Sequence, residues 1–357
     1  MKNLIIDSID SWNIKKQEKL IIAGPCSAES YEQVMETAEE LSKFNVNILR
    51  AGIWKPRTRP NSFEGVGKPG LKWLKEAGEK FNMPVTVEVA NSGHIKEALD
   101  SKIDILWIGA RTTVNPFTVQ EIADSLKGVD IPVMIKNPVN PDIDLWIGAI
   151  ERLNQAGIKK IAVIHRGFSS FKQCEYRNIP EWELIVELRR RIPELPIICD
   201  PSHICGNREL LLSVSQIAMD LLYDGLMIES HINPDTALSD ASQQLTPKNL
   251  KKLLDNLQLK REYIKDKDFH IEIEKIREQI DAIDYKIIGL LAERKKLSEN
   301  IGKKKKLKKV SIFQPERWNA IAESRISTGK KYNLSEEFIL KLFSKIHQES
   351  IGIQRKK

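Results

Sequence analysis

The sequence predicts a (β/α)8 (TIM) barrel followed by a smaller all-α unit. Three observations predict it. From Leu20 to about Leu254, short apolar runs alternate with helix-like stretches, the pattern of a parallel sheet with crossover helices. Eight such units in about 235 residues match the size of a closed barrel. Beyond about Lys265 the pattern changes to one long helical period.

The runs, in order, are LIIAGPCS (from Leu20), NILRAGIWK (Asn47), MPVTVEV (Met83), ILWIGA (Ile105), PVMIKN (Pro132), IAVIHRG (Ile161), PIICDPSH (Pro196) and GLMIESH (Gly225). Each ends in chemistry: Cys26, Lys55, Glu88, Arg111, Lys136, Arg166, His203 and Glu229, with Asp240 in the loop after the eighth. A strand buried on both faces is nearly all apolar, so charge gathered at the C-terminal ends is how such a barrel builds an active site. An open doubly wound sheet also binds ligands there, but no Gly-rich dinucleotide fingerprint supports it. Helices are expected at SYEQVMETAEELSKF, IDLWIGAIERLNQAG and NRELLLSVSQIAMDLLYDG.

PKNLKKLLDNLQLKREYIKDKDFH is expected to close the barrel with a helix and lead into a polar linker. The expected divisions are 1–265 for the barrel, 266–272 for the linker and 273–357 for the helical unit. In the last, Ile273, Ile276, Ile280, Ile283, Ile287, Leu290, Leu291, Leu297 and Ile301 form one apolar stripe, the signature of an amphipathic helix. At about 1.5 Å per residue, about 36 residues span roughly 54 Å. A unit of this size cannot cover that length alone, so a partner chain is implied, making a homodimer or a larger assembly. Shorter helices are expected at Pro315–Thr328 and Ser335–Gln354, with Pro315 and Ser335 at helix starts.

Composition is that of a globular protein, 41% hydrophobic and 29% charged. No apolar run approaches the ~20 residues of a membrane helix. The N-terminus lacks the pattern of a secretory signal, and the four cysteines show neither a secreted framework nor CxxC spacing. The expectation is a cytoplasmic protein without membrane contact. The net charge of +7 is uneven: residues 1–267 hold 35 Lys and Arg against 36 Asp and Glu, and residues 268–357 hold 21 against 13. An anionic partner is therefore expected at the C-terminal segment.

Cys26, His203, Glu229 and Asp240 offer one sulfur, one nitrogen and two carboxylates near the ends of runs one, seven and eight, which are neighbours once a barrel closes. That mixed set suits one borderline divalent ion, Mn, Fe, Co or Zn. Singly, each has a plainer reading as a core or loop residue; convergence on one mouth argues for the metal. Arg50, Lys55, Arg57, Arg111, Lys136 and Arg166 form a cationic set. Burying several cations together is costly without anions, and their complement is phosphate and carboxylate.

GPCSAES, RAGIWKPRT, GARTT, IKNP, IHRG, DPSH, MIESH and ALSDASQQL resemble the ordered motifs of the 3-deoxy-D-arabino-heptulosonate 7-phosphate (DAHP) synthase family, nearest its short microbial class. The resemblance runs from about Leu20 to Leu245. The synthase of Kdo 8-phosphate shares the barrel, and KPRT favours the DAHP synthase. The resemblance implies condensation of phosphoenolpyruvate with erythrose 4-phosphate. It implies Cys26, His203, Glu229 and Asp240 as metal ligands. Arg50, Lys55 and Lys136 would hold the phosphoenolpyruvate carboxylate; Arg111, in the GARTT motif with Gly109 and Ala110, and Arg166, in IHRG, would hold its phosphate. Pro56, Arg57 and Thr58 would hold the aldose phosphate, and Glu88 would orient a lysine or water.

In the helical unit, Arg294 and Lys305 are about three turns apart and nearly share a face, whereas Arg277 lies roughly 100° away. R…LLAER…K…PER…ES…Q over about Ile273–Gln354 is similar to the all-helical chorismate mutase family. That resemblance implies Arg277 from the partner chain, Arg294 and Arg317 as carboxylate ligands. Lys305 and Gln354 would bind at the ether oxygen, and Ser350 would line the pocket. The chain departs from the family at Gln314, often acidic there, and at Trp318, often Glu. The expected function is a bifunctional shikimate-pathway enzyme, with the mutase unit also regulating the barrel through chorismate or prephenate. In one alternative the helical unit is chiefly a sensor and dimerisation module. In another, KKKKLKK makes it a nucleic-acid arm, but no aromatic stacking array accompanies the run, and no nucleic acid is expected.

Overall fold

Eight parallel strands close on themselves in chain order: β1 (Leu20–Gly24), β2 (Ile48–Arg50), β3 (Val85–Val89), β4 (Ile105–Ile108), β5 (Val133–Lys136), β6 (Ile161–His165), β7 (Ile197–Cys199) and β8 (Gly225–Glu229). The computed structural model describes residues 4–15, 18–56, 62–171, 174–259 and 266–356. It divides into two compact units, Met1–Glu262 and Tyr263–Lys357. The crossovers carry α1 (Tyr31–Ser42), α2 (Lys68–Lys80), α3 (Ser92–Asp100), α4 (Ala110–Thr113), α5 (Pro116–Ser125), α6 (Ile143–Gln155), α7 (Trp182–Arg191), α8 (Pro201–Cys205) and α9 (Leu211–Asp220), with α10 (Pro247–Asp255) after β8.

Closure is set by β1 against β8, with Leu20 opposite Gly225 and Gly24 opposite Glu229. The runs read as continuously apolar because both faces are buried, yet their side chains still alternate. Leu20, Ile22, Ile105, Trp107, Ala162, Ile164 and Met227 fill one cluster, while Ile21, Ala23, Leu106, Ile108, Val163 and Ile228 belong to another, packed with helix residues such as Leu41, Leu74 and Ile150. Ile9 and Trp12, from a 3-10 turn, join the first cluster, stopping the barrel interior with apolar side chains.

The strands are shorter than the apolar runs suggest. β2 stops at Arg50, so Lys55 lies in the following loop. Pro201 opens α8, so His203 sits on a helical turn, because the Asp200 side chain accepts from His203 N and caps it. Arg111 likewise lies in α4 rather than at a strand end.

In the second unit, α11 (Lys267–Leu307) runs 41 residues, followed by α12 (Pro315–Lys331) and α13 (Glu336–Arg355). Residues read as linker are helical from Lys267, since the Asp266 side chain accepts from Asp268 N and Phe269 N. α13 starts where Ser335 accepts from Phe338 N. α11 and α13 approach at Gly302, where any Cβ would stand 2.9 Å from Gln354 Cα, so only glycine fits. The apolar stripe of α11 is not covered by α12 and α13: Ile280 is 50% exposed and Ile283 55%.

One buried polar pair ties β6 to the outer layer. His165 Nε2 donates to Pro180 O at 2.6 Å, and its Nδ1 accepts from Tyr223 Oη at 2.9 Å. Burial pushes this imidazole down to about 3, with the charge of Arg166 adding to the effect. A histidine whose folded value lies below its unfolded one contributes stability that is complete above about pH 6.5 and lost as pH falls toward 3. We expect His165→Gln to flatten the acid loss of barrel stability. The wild-type minus variant difference in urea unfolding should change by about 1 kcal/mol per pH unit below 6.5; a difference that does not vary with pH would contradict this role.

Candidate active sites of the two units

The barrel mouth holds its donors by a dense web of side chains. Cys26 N donates to Gln244 Oε1 at 2.9 Å, and the thiol lies 3.4 Å from Asp240 Oδ2. Lys55 Nζ reaches Cys26 Sγ at 3.0 Å and Cys26 O at 2.9 Å. Glu229 Oε2 accepts from Gln243 Nε2 at 2.6 Å. Its Oε1 stands 3.3 Å from Arg50 NH1 without hydrogen-bond alignment, and is buried with no hydrogen-bond partner among the described residues. Ligand atoms of Cys26, Glu229 and Asp240 all lie within 4.8 Å of one another. His203 stands beside them, with Nε2 3.8 Å from Glu229 Oε1. Its Nδ1 faces Asp200 Oδ2 at 2.8 Å, so the proton on Nδ1 leaves the Nε2 lone pair turned toward the donors. A buried carboxylate oxygen that takes no hydrogen bond among the described residues, beside a thiol and an imidazole, fits a divalent cation. Burial, then the Glu229 charge, pushes the Cys26 thiol up to about 12, so as a bare side chain it is protonated.

The cations occupy the adjoining wall. Arg50 and Lys136 are buried, and both lie over the Trp107 ring, at 5.0 and 5.9 Å from its centroid. Trp107 Nε1 donates to Glu88 Oε2 at 2.9 Å. Gly109 makes room for that carboxylate, since a Cβ there would lie 2.1 Å from Glu88 Oε1. Lys136 Nζ pairs with Asp200 Oδ2 at 2.9 Å. Burial opposes the Asp200 charge, but His203 and Lys136 outweigh it and hold its carboxyl well below the usual range. Arg166 NH1 donates to Asn178 Oδ1 at 2.8 Å, and burial lowers its guanidinium to about 10, which leaves it cationic at neutral pH. Arg111 NH1 donates to Pro56 O at 3.1 Å. Pro56, Ala110, Arg111, Lys136, Arg166 and His203 face one cavity of about 290 Å³. Arg57 and Thr58 lie outside the described residues.

In the helical unit, Arg294 NH1 donates to Ser350 Oγ, joining α11 to α13. A cavity of about 390 Å³ lies between Leu291, Arg294, Ile346, Ser350 and Ile353. Lys305 Nζ donates to Ile312 O at 2.7 Å. Gln354 Oε1 is buried without a hydrogen-bond partner among the described residues. Arg277 is exposed and pairs with Glu274 at 2.6 Å. It lies about 26 Å along the helix from Arg294, so one chain does not bring the two together. Arg317 stands in the first turn of α12.

Residues 6–266 match the family model described as the DAHP synthetase I family. The chain belongs to that family. Residues 276–355 match the chorismate mutase type II model. The chain is 36% identical over 237 residues to a phospho-2-dehydro-3-deoxyheptonate aldolase of Thermotoga maritima, covering 66% of this chain and 68% of that one. It is 29% identical over 267 residues to a 2-dehydro-3-deoxyphosphooctonate aldolase of Desulfotalea psychrophila, covering 68% and 89%. Its structure resembles the crystal structure of the Thermotoga maritima DAHP synthase with a TM-score of 0.61 at 34% identity, covering 66% of this chain and 67% of that one. A DAHP synthase domain joined to a chorismate mutase domain makes this a bifunctional enzyme of the shikimate pathway.

Several residues of the synthase mouth had no signal of their own in the sequence. Asp200 was visible only as part of DPSH, and its double contact to Lys136 and His203 needs two strand ends side by side. Arg177 donates to Asp240 Oδ1 at 3.1 Å and to Gln243 Oε1 at 2.8 Å. It comes from the loop between β6 and α7, where nothing in the local pattern marks it. Asp240 itself adopts a left-handed backbone, φ 47°, a conformation that costs free energy outside glycine and is held here by these contacts.

Removing one member of a buried ion pair leaves a bare charge. Lys136→Met should lower the synthase unit's unfolding free energy by about 3 kcal/mol, and Lys136→Met with Asp200→Asn should lose less than the sum of the single changes. Urea unfolding of the four proteins measures this, and strict additivity would contradict the pairing.

Proposed function

We propose that the barrel catalyses a metal-dependent condensation of phosphoenolpyruvate with erythrose 4-phosphate to DAHP, and that the helical unit rearranges chorismate to prephenate. The observation that carries the first half is one mouth where a thiol and two carboxylates meet beside buried cations facing a common cavity. The two activities divide where the two compact units do, between Glu262 and Tyr263, ahead of α11.

In the barrel, Arg50, Lys55 and Lys136 take the carboxylate of phosphoenolpyruvate, and Arg111 and Arg166 take its phosphate. Pro56, Arg57 and Thr58 receive the aldose phosphate, with Gly109 and Ala110 shaping the wall opposite. Cys26, His203, Glu229 and Asp240 hold one divalent ion, Mn, Fe, Co or Zn, which supplies Lewis-acid polarisation of the aldehyde. C3 of phosphoenolpyruvate bonds to the aldehyde carbon. Lys55, which also contacts Cys26 Sγ at 3.0 Å, serves in addition as the proton donor to the developing alkoxide. Water then adds at C2, and the hemiketal releases phosphate. Glu88 keeps Trp107 under Arg50 and Lys136. Arg177 keeps Asp240 turned toward Cys26.

In the helical unit, the rearrangement is unimolecular and needs a compact conformer and stabilised charge rather than a nucleophile. Arg294, Arg317 and Arg277 of the partner subunit grip the two carboxylates. Lys305 and Gln354 meet the ether oxygen, and Ser350 lines the pocket. The half-exposed α11 stripe supports an antiparallel second copy of the chain, which also brings Arg277 to a site 26 Å or so away along its own helix. Prephenate or chorismate bound there regulates condensation, in a protein of the cytoplasm.

A chelator should abolish condensation of erythrose 4-phosphate, and Mn²⁺ should restore it; full activity in metal-stripped protein would remove the metal from the reading. Ile283→Glu should lower the sedimentation mass and abolish both chorismate turnover and any response of condensation to prephenate. A monomeric variant that still turns over chorismate would sink the shared site. A wild-type condensation rate that ignores prephenate at every concentration would sink the regulation.

A further inference from the structure

His347 takes no part in the chemistry assigned above, yet its surroundings are those of a ligand-binding group. It lies on α13 three residues before Ser350 and seven before Gln354, spacings that put all three on one helix face. The Trp318 indole stacks on its ring, with centroids 4.6 Å apart and planes 25° from parallel. The Phe313 ring meets it nearly edge-on, with centroids 6.1 Å apart. These two aromatics fix the imidazole plane. They leave Nε2 buried and without a hydrogen-bond partner among the described residues, in the same condition as Gln354 Oε1 seven residues on.

Two sealed polar atoms on one face without hydrogen bonds among the described residues cost free energy. A ligand with polar atoms at that place recovers it. Burial, with Arg294 and Lys305 adding to it, lowers the His347 imidazole below its ordinary value, so it is neutral at neutral pH. Arg294 and Arg317 already supply the positive charge that carboxylates require, and Lys305 is taken up at the ether oxygen. A neutral imidazole nitrogen suits a different group, an uncharged hydroxyl, which can donate to it or accept from it.

We propose that His347 is a ligand-contacting residue of the mutase site, held by Trp318 and hydrogen-bonded through Nε2 to the ring hydroxyl of the dicarboxylate substrate. The proposal rests on the mutase site lying around Arg294, Lys305, Ser350 and Gln354. Trp318 is then a positioning residue: it sets the plane of the imidazole and does not touch the substrate.

The test uses the full chain and follows loss of chorismate absorbance. His347→Phe keeps the stacked ring and removes the nitrogen. His347→Gln restores a donor and acceptor at about the same reach. We expect His347→Phe to lower kcat/KM about tenfold, the size of one lost hydrogen bond, and His347→Gln to recover most of it. For a chorismate analogue lacking the ring hydroxyl, wild type and His347→Phe should be equal. Wild-type kcat/KM in His347→Phe, or an equal loss with the analogue, overturns the proposal. Should His347→Phe lose the thermal transition of the helical unit, His347→Leu takes its place with the same expectations. Arg294→Ala separates the underlying reading: if it leaves chorismate turnover intact, the site is elsewhere, whereas its loss together with an unaffected His347→Phe defeats the histidine alone.

Discussion

Asp200 accepts from Lys136 at 2.9 Å and faces His203 Nδ1 at 2.8 Å, and the rest of the barrel mouth depends on that double contact. Lys136 is buried under the cavity beside Trp107, and an ammonium there is tolerable only next to a fixed carboxylate. The same carboxylate selects the tautomer of His203 and turns its other nitrogen toward Glu229. It also caps α8, so one side chain starts the helical turn and orients the group that the turn carries. The substrate-facing wall and the metal-type donors are therefore joined through one residue.

Around that contact the mouth alternates in sign. Arg50 approaches Glu229, Lys55 approaches Cys26, Arg177 grips Asp240, and Arg166 is left to a neutral amide of Asn178. Trp107 gives Arg50 and Lys136 a polarisable face and hands its N–H to Glu88. Cations that face the cavity with incomplete partners are what an anionic substrate would complete.

The helical unit obeys a different constraint, the length of α11. Forty-one residues of helix cannot be covered by α12 and α13, which together are shorter and turn back on each other. The apolar stripe that remains half-exposed is the physical reason to place a second copy there, and Gly302 shows how close α11 and α13 must come for Arg294 to reach Ser350. Trp318 and His347 make a stacked pair on the face where Gln354 Oε1 also lacks a hydrogen bond among the described residues.

Much of this was legible in the chain. Eight apolar runs, each ending in an ionisable residue, gave the barrel, because strands buried on both faces leave charge nowhere to go but their ends. Cys26, Glu229 and Asp240 could be named as a group because β1 and β8 must be neighbours in a closed barrel. The helix starts at Pro315 and Ser335 followed from local capping, which needs only adjacent residues. What sequence could not supply was the partner of each charge. Arg177 to Asp240, Gln243 to Glu229 and Asp200 to Lys136 connect residues 63, 14 and 64 positions apart, and no local period encodes which loop meets which. The ends of the strands were also misplaced, with Lys55 in a loop and His203 on a helical turn, since apolar runs continue past the last ladder hydrogen bond. Burial and periodicity along the chain were enough to bring Cys26, Glu229 and Lys136 to the strand ends; how the charges pair, and that Arg177 and Asp200 join them, came from the fold alone, because pairing is set by distances across the closed barrel.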